Sequence, residues 1–185
     1  MVKKGLIIAG IVVLLLVIVV IGQYNSLVNL ETGVDAAWAQ VENQMQRRAD
    51  LIPNLVNTVK GFASHEQQIF EDIAAARSRL LNAQTPEDQM EANNSLDTAL
   101  GRLLMVVENY PTLKADASFI RLQDELAGTE NRIAYARKEY NEAVEKWNRS
   151  IRRFPTVLIA RMFGKDPYPY FQASEQAREV PQVQF

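Results

Sequence analysis

The stretch that organises this chain reads VDAAWAQVENQMQRRADLIPNLVNTVKGFASHEQQIFEDIAAARSRLL, from Val34 to Leu81. Alternating steps of four and three residues select fourteen positions in one phase, of which twelve are apolar. These positions are Val34, Trp38, Val41, Met45, Arg48, Ile52, Leu55, Val59, Phe62, Glu66, Ile69, Ile73, Ala76 and Leu80. This spacing is typical of a helix that packs along its whole length against partner helices. A helix over this stretch would be roughly 70 Å long.

A proline lies within this stretch, and two polar residues interrupt the seam. Pro53 removes a backbone hydrogen bond and clashes with the preceding turn, but the phase is the same on both sides, which predicts a kink rather than a break. If the helix does break, Asp50 is a suitable N-cap for a new one. Arg48 and Glu66 are polar at core positions. Either they are buried and fix the register of packing, or they extend past the core to water, which is the interpretation we favour.

The composition excludes several classes of site. The chain of 185 residues has no Cys, which excludes disulfides, thiolate metal sites, cysteine nucleophiles and lipid attachment at Cys. A single histidine, His65, excludes multi-histidine metal sites. Twenty basic and twenty-two acidic residues nearly balance, whereas a nucleic-acid-binding domain usually has a clear basic excess. We therefore expect no nucleic-acid partner.

His65 and Glu66 form the one adjacent pair of histidine and carboxylate in the sequence. A zinc metalloprotease helix needs a second His four residues away, and position 69 is Ile. Di-iron bundles use Glu-x-x-His on two helices, and position 62 is Phe. No spacing assembles a nucleophile or a phosphate-binding glycine loop. The sequence therefore predicts a protein that is not an enzyme and uses no cofactor or metal.

The N-terminal segment predicts a membrane anchor. Residues 5–22 carry no polar side chain, and fourteen of these eighteen residues are Val, Ile or Leu. As a helix they cover about 27 Å, close to the hydrocarbon thickness of a bilayer. The alternative is a cleaved signal peptide with a cleavage site near Gly22, but the run exceeds the usual apolar region of such peptides. We interpret residues 5–28 as an uncleaved transmembrane anchor.

Charge predicts the orientation of this anchor. Lys3 and Lys4 precede the apolar run, and the next basic residue is Arg47. The positive-inside rule then places residues 1–4 in the cytoplasm and the rest of the chain on the extracytoplasmic side, with a cytoplasmic bundle as the alternative. Tyr24 stands where an interfacial aromatic residue is expected. Gly33 is the flexible residue before the bundle, which predicts a short hinge there.

Two further helices follow the first. Thr85 as a cap, Pro86 at the first position and acidic residues in the first turn predict a helix start. Pro111 ends this helix or opens the next one. From Ala115, residues recur every seven positions as a second long seam, and the short connections predict antiparallel neighbours. The seam residues are Phe119, Leu126, Ile133, Tyr140, Trp147 and Phe154.

A basic stretch ends the predicted bundle. Between residues 146 and 165 the chain has six basic residues and no acidic one, with apolar residues among them. Such a stretch can lie on an anionic lipid surface; alternatively, its cations complement the end of a long helix while the apolar residues close the core. The candidate membrane-surface residues are Tyr24, Lys146, Arg149, Arg152, Arg153, Arg161 and Lys165.

Several short motifs together resemble the LemA family. The most specific is the run RRADLIPNLV from Arg47 to Val56, and Phe62 stands where the family more often has Tyr. The residues that carry the resemblance are Tyr24, Asn25, Trp38, Arg47, Arg48, Asp50, Leu51, Pro53, Asn54, Leu55, Gly61, His65, Glu66, Tyr140, Asn141, Phe154 and Pro155. The resemblance implies a membrane-anchored, up-and-down antiparallel helical bundle without established catalytic residues. A branch of the family belongs to bacterial organelle membranes.

Together these observations predict an all-α protein in which a transmembrane helix precedes an elongated bundle. The bundle would occupy residues 29–164 and contain three long helices, the first kinked near Pro53, and a short C-terminal helix; residues 165–185 would be an extended tail. The expected function is structural: a single-pass bacterial inner-membrane protein that self-assembles and scaffolds or shapes the bilayer. An accessory module for a membrane protease, transporter or signalling protein is the alternative. The expected partners are the lipid bilayer and further copies of this chain. Under the alternative function, the partner is another membrane protein.

Overall fold

The computed structural model describes residues 2–63 and 65–172. Over these residues the chain forms helices and no strand, which confirms the all-α prediction and the long apolar N-terminal helix. The helices are α1 (Val2–Lys60), α2 (Gln67–Asn82), α3 (Pro86–Val107), α4 (Pro111–Lys114), α5 (Ala117–Arg152) and α6 (Thr156–Met162). The chain divides into two compact units: unit 1 contains the residues up to Ala37 and Glu139–Tyr170, and unit 2 contains Trp38–Lys138 and resumes at Phe171.

Unit 2 is an up-and-down bundle of the second part of α1, α2, α3 and the first part of α5. Arg77 on α2 donates a hydrogen bond of 2.7 Å to the carbonyl oxygen of Ala49 on α1. The predicted core positions of α1 from Val41 to Val59 are buried, as are the regularly spaced residues of the partner helices. The buried residues of α2 and α3 include Phe70, Ile73, Ala76, Leu80, Met90, Leu96, Leu100 and Leu103.

One predicted helix is two helices in the structure. The sequence predicts one long helix over residues 34–81, whereas α1 ends at Lys60 and α2 begins at Gln67. The backbone N–H groups of Phe62 and Ala63 both bond to the carbonyl oxygen of Val59, which ends α1. Phe62, predicted in the seam, is 42% exposed, and Ala63 is buried instead. A four-three pattern indicates which face of a helix is buried. The pattern keeps its phase when the chain reverses and the following helix packs its apolar face on the same core.

α1 itself is unbroken where the sequence suggested flexibility. The predicted hinge at Gly33 is wrong, because Gly33 lies inside α1. The helix continues through Pro53, whose side chain is exposed, and so the prediction that Pro53 does not break the helix is confirmed. A proline on the outer face costs one backbone bond but does not displace core side chains.

The later helices begin where the sequence predicts and end slightly earlier. The side chain of Thr85 accepts a hydrogen bond of 3.1 Å from the backbone N–H of Asp88, so Thr85 caps α3. The second seam is buried at Phe119, Ile133 and Trp147. Phe154 was predicted to continue this seam, but α5 ends at Arg152 and Phe154 is 80% exposed.

Gly164 redirects the chain after α6. Its φ of 62° lies in the left-handed region that favours glycine. The N–H of Lys165 bonds to the carbonyl oxygen of Ala160, and the N–H of Gly164 bonds to that of Arg161. These two bonds form a Schellman motif. The described residues beyond it, 165–172, are non-helical; the rest of the predicted tail, 173–185, lies outside the described residues.

Candidate membrane-surface site

The first part of α1 has the properties of a membrane span. It is the one helix of the described chain that is long and apolar enough to cross a bilayer, and an 18-residue window within it has a mean hydropathy of 3.3. Its large apolar side chains from Leu6 to Val19 are between 48% and 68% exposed. A core helix of a water-soluble domain would bury such residues. The first fully buried side chain of the helix is Leu27, five residues after Gly22 ends the apolar run.

α6 packs beside α1 at the end of this apolar run. The Thr156 hydroxyl donates a hydrogen bond of 3.0 Å to the side-chain oxygen of Gln23. The ring of Phe163 lies against that of Tyr24, with centroids 4.6 Å apart. Gln23 and Tyr24 directly follow Gly22, which is less than one helical turn away. Unit 1 therefore holds α6 at the level where α1 would leave the hydrocarbon of a bilayer.

α6 is apolar on both faces. Thr156, Ile159 and Ala160 are buried within unit 1. Leu158 and Met162, four residues apart, share the opposite face and are 58% and 65% exposed. Phe154, two residues before the helix, is 80% exposed. If α6 were in water, the apolar residues on its outer face would be exposed to solvent, which is unfavourable.

The predicted membrane-surface cations fall into two groups. Lys165 forms an ion pair with Glu31, with an N–O distance of 2.8 Å, and Arg149 pairs with Glu145 in the preceding turn of α5. Both charges are thus already compensated. Lys146, Arg152, Arg153 and Arg161 are exposed, and no acidic side chain pairs with them among the residues that the structure describes.

Residues 165–170 run back along α5 and are held to it by hydrogen bonds with side chains of that helix. The indole N–H of Trp147 donates to the carbonyl oxygen of Asp166 at 2.9 Å. Asn148 exchanges two hydrogen bonds of 2.9 Å with the backbone of Tyr168. The Tyr140 hydroxyl donates to the carbonyl oxygen of Pro169 at 3.0 Å. The family-motif residue Tyr140 therefore fixes the segment that follows α6.

The hydroxyl of Tyr168 donates a hydrogen bond of 3.0 Å to Asp35 of α1. Burial, this hydrogen bond and the charges of Asp35 and Glu31 raise the pKa of Tyr168 to about 12. Because the pKa of the folded state lies above the ordinary value near 10, the resulting stabilisation is complete below pH 10 and is lost as the pH rises towards 12.

We expect Tyr168 to ionise late in an alkaline titration of the intact protein. Six tyrosines contribute to the phenolate absorbance, and Tyr168→Phe should remove a component whose midpoint lies near pH 12. Tyr135→Phe, at an exposed position on α5, is the control and should leave that component in place. If the high-pH component persists in the Tyr168→Phe variant, the assignment to Tyr168 is wrong.

The family-motif residue Arg48 lies at the centre of a polar cluster in unit 2. The sequence analysis favours a side chain that reaches water, and the structure corrects this prediction: Arg48 is 6% exposed. It forms ion pairs with Asp97 of α3 and with Glu130 of α5, the latter at 2.9 Å. The guanidinium stays in the core because two carboxylates from neighbouring helices meet it there. Glu66, by contrast, is half-buried and accepts a long hydrogen bond of 3.4 Å from Tyr110.

Arg137 extends this cluster towards Phe171. Its guanidinium lies 3.9 Å from Asp97 and stacks over the ring of Phe171, 4.4 Å from the centroid. Burial lowers the pKa of Arg137, and the charges of Asp97 and Glu130 oppose that shift. Sequence reasoning missed Asp97, Glu130 and Arg137, because nothing in local periodicity indicates which distant carboxylate meets Arg48.

An apolar groove opens beside the cluster in unit 2. Its volume is about 470 Å³. Four of its nine lining residues are leucines, and Arg48, Asp97 and Glu130 of the polar cluster also line it. The remaining lining residues are Leu55, Leu100, Leu104, Gln123, Leu126 and Ala127. Such a groove fits an apolar side chain of a partner better than a small polar substrate.

The other motif residues are distributed over both units rather than gathered at one site. Leu55 is buried, Trp38 contacts Phe171 at a ring distance of 6.4 Å, and Asp50 accepts a hydrogen bond of 3.0 Å from Gln46. Leu51 and Asn141 are half-buried, and the exposed motif residues are Asn25, Arg47, Pro53, Asn54, Gly61, His65, Phe154 and Pro155. Within residues 2–63 and 65–172, no group of three or more acidic, histidine or cysteine side chains is arranged to hold a metal ion.

Comparisons with known proteins identify several relatives of this chain. Magnetosome protein MamQ 2 of Paramagnetospirillum magneticum is 28% identical, over 81% of this chain and 65% of that protein. MamQ of Magnetospirillum gryphiswaldense is 26% identical, over 80% and 64%. Protein LemA of Metamycoplasma hominis is 25% identical, over 86% and 74%. The chain thus spans slightly less than two thirds of the MamQ proteins.

The LemA family description matches residues 37–185, about four fifths of the sequence. This range includes the Arg47–Val56 run and the whole of unit 2. The apolar helix and the relatives together indicate a membrane-associated helical protein. The chain belongs to the LemA family.

Proposed function

We propose that this protein is a non-enzymatic, single-pass membrane protein that self-assembles at the bilayer surface and scaffolds or shapes it. One observation carries the proposal: the apolar span continues without a break into the core of unit 1. Burial in α1 starts at Leu27 and continues at Val34. A domain built on the same helix as its anchor is held against the membrane rather than suspended from a linker.

The chemistry of the described residues supports a structural function. The buried or half-buried cations Lys165 and Arg48 are compensated by Glu31 and Asp97, which is a structural use of charge rather than the arrangement of a nucleophile with a base. The magnetosome relatives support function at a membrane, because a branch of this family is associated with bacterial organelle membranes. The LemA assignment itself adds no catalytic residue.

The groove of unit 2 is the surface that we assign to self-assembly. Its leucine wall is open, and soluble oligomers are mostly built from copies of one chain. Because the natural chain has no cysteine, a Leu104→Cys variant carries one defined thiol at the groove. A bismaleimide added to membranes should give a product of twice the monomer mass. Met105→Cys, next to it but 68% exposed and outside the groove lining, should give less.

The same groove is the feature that favours the second candidate function, an accessory module for another membrane protein. The experiment separates the two candidates by the mass of the product. A product that contains one foreign protein in fixed proportion supports the module and contradicts self-assembly through the groove. Absence of any product at Leu104→Cys contradicts both assignments of the groove.

We further propose that the N-terminus is cytoplasmic and that the bundle lies on the extracytoplasmic side of the bacterial inner membrane. The orientation follows from Lys3 and Lys4, because the positive-inside rule counts charges near the span along the chain. Met105→Cys should therefore react with a membrane-impermeant maleimide in intact spheroplasts. Labelling only after lysis would place the bundle in the cytoplasm, and a mature chain that begins near Gln23 would show that the leader is cleaved.

A further inference from the structure

We infer that the outer face of α6, together with Phe154, inserts into the same membrane surface as the end of the anchor and binds anionic phospholipid. This inference rests on the proposed anchoring of α1 and adds a second, peripheral membrane contact to it. Three independent features of unit 1 support it: the position of α6, the apolar residues on its outer face, and the cations around it.

The position is fixed by side-chain contacts. Thr156 bonds to Gln23 at 3.0 Å, and Phe163 packs on Tyr24 at 4.6 Å. Both α1 residues directly follow the apolar run. If residues 5–22 cross the hydrocarbon, α6 lies at the headgroup boundary and cannot be far from lipid.

The described chain leaves the outer apolar residues largely uncovered. Leu158, Met162 and Phe154 are each more than half exposed. A surface of this kind in water is unfavourable, whereas the boundary between headgroups and acyl chains buries it. The buried face of α6, which includes Ile159 and Ala160, is fully used inside unit 1, so the outer face is the one that is left to lipid.

The charge around α6 selects the lipid. Arg152, Arg153 and Arg161 flank the apolar residues and lack an acidic partner among the described residues. Arginine forms paired hydrogen bonds with phosphate oxygens. Exposed basic residues that flank apolar side chains are attracted to anionic leaflets. Lys165 and Arg149 are neutralised by Glu31 and Glu145 and take no part.

Single cysteines with an environment-sensitive fluorophore test the inference in the full-length protein. Leu158→Cys would carry the fluorophore at the outer face of α6, Leu14→Cys within the span, and Met105→Cys on the exposed surface of unit 2. Each variant is reconstituted into vesicles of phosphatidylcholine alone or with added phosphatidylglycerol, and quenching by lipid-borne nitroxide is measured. We expect strong quenching at Leu14→Cys, severalfold more quenching at Leu158→Cys than at Met105→Cys, and an increase at Leu158→Cys with phosphatidylglycerol.

The outcomes separate this inference from the proposed function. Quenching at Leu14→Cys with water-like fluorescence at Leu158→Cys overturns the inserted face and leaves the anchor intact. Loss of quenching at Leu14→Cys contradicts the anchor itself. Equal quenching at Leu158→Cys in both vesicle types, or quenching that survives reversal of Arg152, Arg153 and Arg161 to Glu, overturns the binding of anionic lipid. Reversal of Arg121, Arg132 and Lys138 on α5 serves as the charge-matched control.

Discussion

Replacing Asp97 by alanine should destabilise unit 2 by about 3 kcal/mol. Asp97 pairs with the buried guanidinium of Arg48, lies near Arg137, and accepts a hydrogen bond of 3.1 Å from the buried amide of Asn93. Removal of one partner from a buried ion pair leaves an uncompensated charge, which costs about 3–5 kcal/mol. We expect the lower end of that range because Glu130 still faces Arg48. Urea unfolding of the full-length protein in detergent, followed by circular dichroism, measures the change.

The chain offers a matched control for this measurement. Asp72 pairs with Arg102 at 3.3 Å in the same unit, and its side chain is exposed to nearly the same extent as that of Asp97, 35% against 34%. The difference lies in the arginine, because the side chain of Arg102 is 58% exposed and that of Arg48 only 7%. An exposed pair contributes about 0–1 kcal/mol. If Asp72→Ala destabilises the protein as much as Asp97→Ala, burial of the partner is not the cause.

A double variant tests whether the cluster stabilises unit 2 or selects its register. Combining Arg48→Met with Asp97→Leu removes one positive and one negative charge from the cluster. Glu130 and Arg137 then remain as its charged residues. Apolar replacement of a whole buried pair often recovers the loss caused by a single change. We expect the double variant to be more stable than Asp97→Ala alone. Because the cluster joins α1, α3 and α5, crosslinking at Leu104→Cys in this background would show whether the groove beside it is still formed.

The sequence predicts which residues are buried better than it predicts where the chain reverses its direction. The spacing of Val41, Ile52 and Val59 identifies the buried face of α1, because helical periodicity is a local property. The reversal between Lys60 and Gln67 does not disturb that periodicity, and so one seam was interpreted as one helix. Gly61 was the available signal, since glycine often follows the last turn of a helix.

The candidate membrane site depends on contacts that no local pattern encodes. The basic and apolar composition near α6 was visible in the sequence, but its position beside the anchor depends on Thr156 and Gln23, which are 133 residues apart. Likewise, the composition did not distinguish Lys165, which Glu31 neutralises, from Arg161, which remains available. Partners separated by more than a hundred residues are determined by the tertiary fold rather than by propensity.

Replacing Trp147 by alanine should destabilise unit 1 by about 3–5 kcal/mol, because truncation of a buried aromatic residue removes apolar contacts and leaves a cavity. Trp147 is 1% exposed, donates to the carbonyl oxygen of Asp166 at 2.9 Å, and meets the ring of Tyr168 edge-on at 5.9 Å. Its loss therefore also frees the segment that returns along α5. Thermal unfolding of the full-length protein in detergent measures the change.

Two variants identify the cause of that loss. Trp147→Phe keeps most of the ring but removes the indole N–H donor, so it should cost about 1–2 kcal/mol for the unpaired carbonyl and the smaller ring. Phe154→Ala removes an aromatic side chain seven residues later in the same series, but at 80% exposure, and should change stability by less than about 0.5 kcal/mol. Equal losses at Trp147→Ala and Phe154→Ala would mean that aromatic residues near the end of α5 act through the detergent rather than through the core of unit 1.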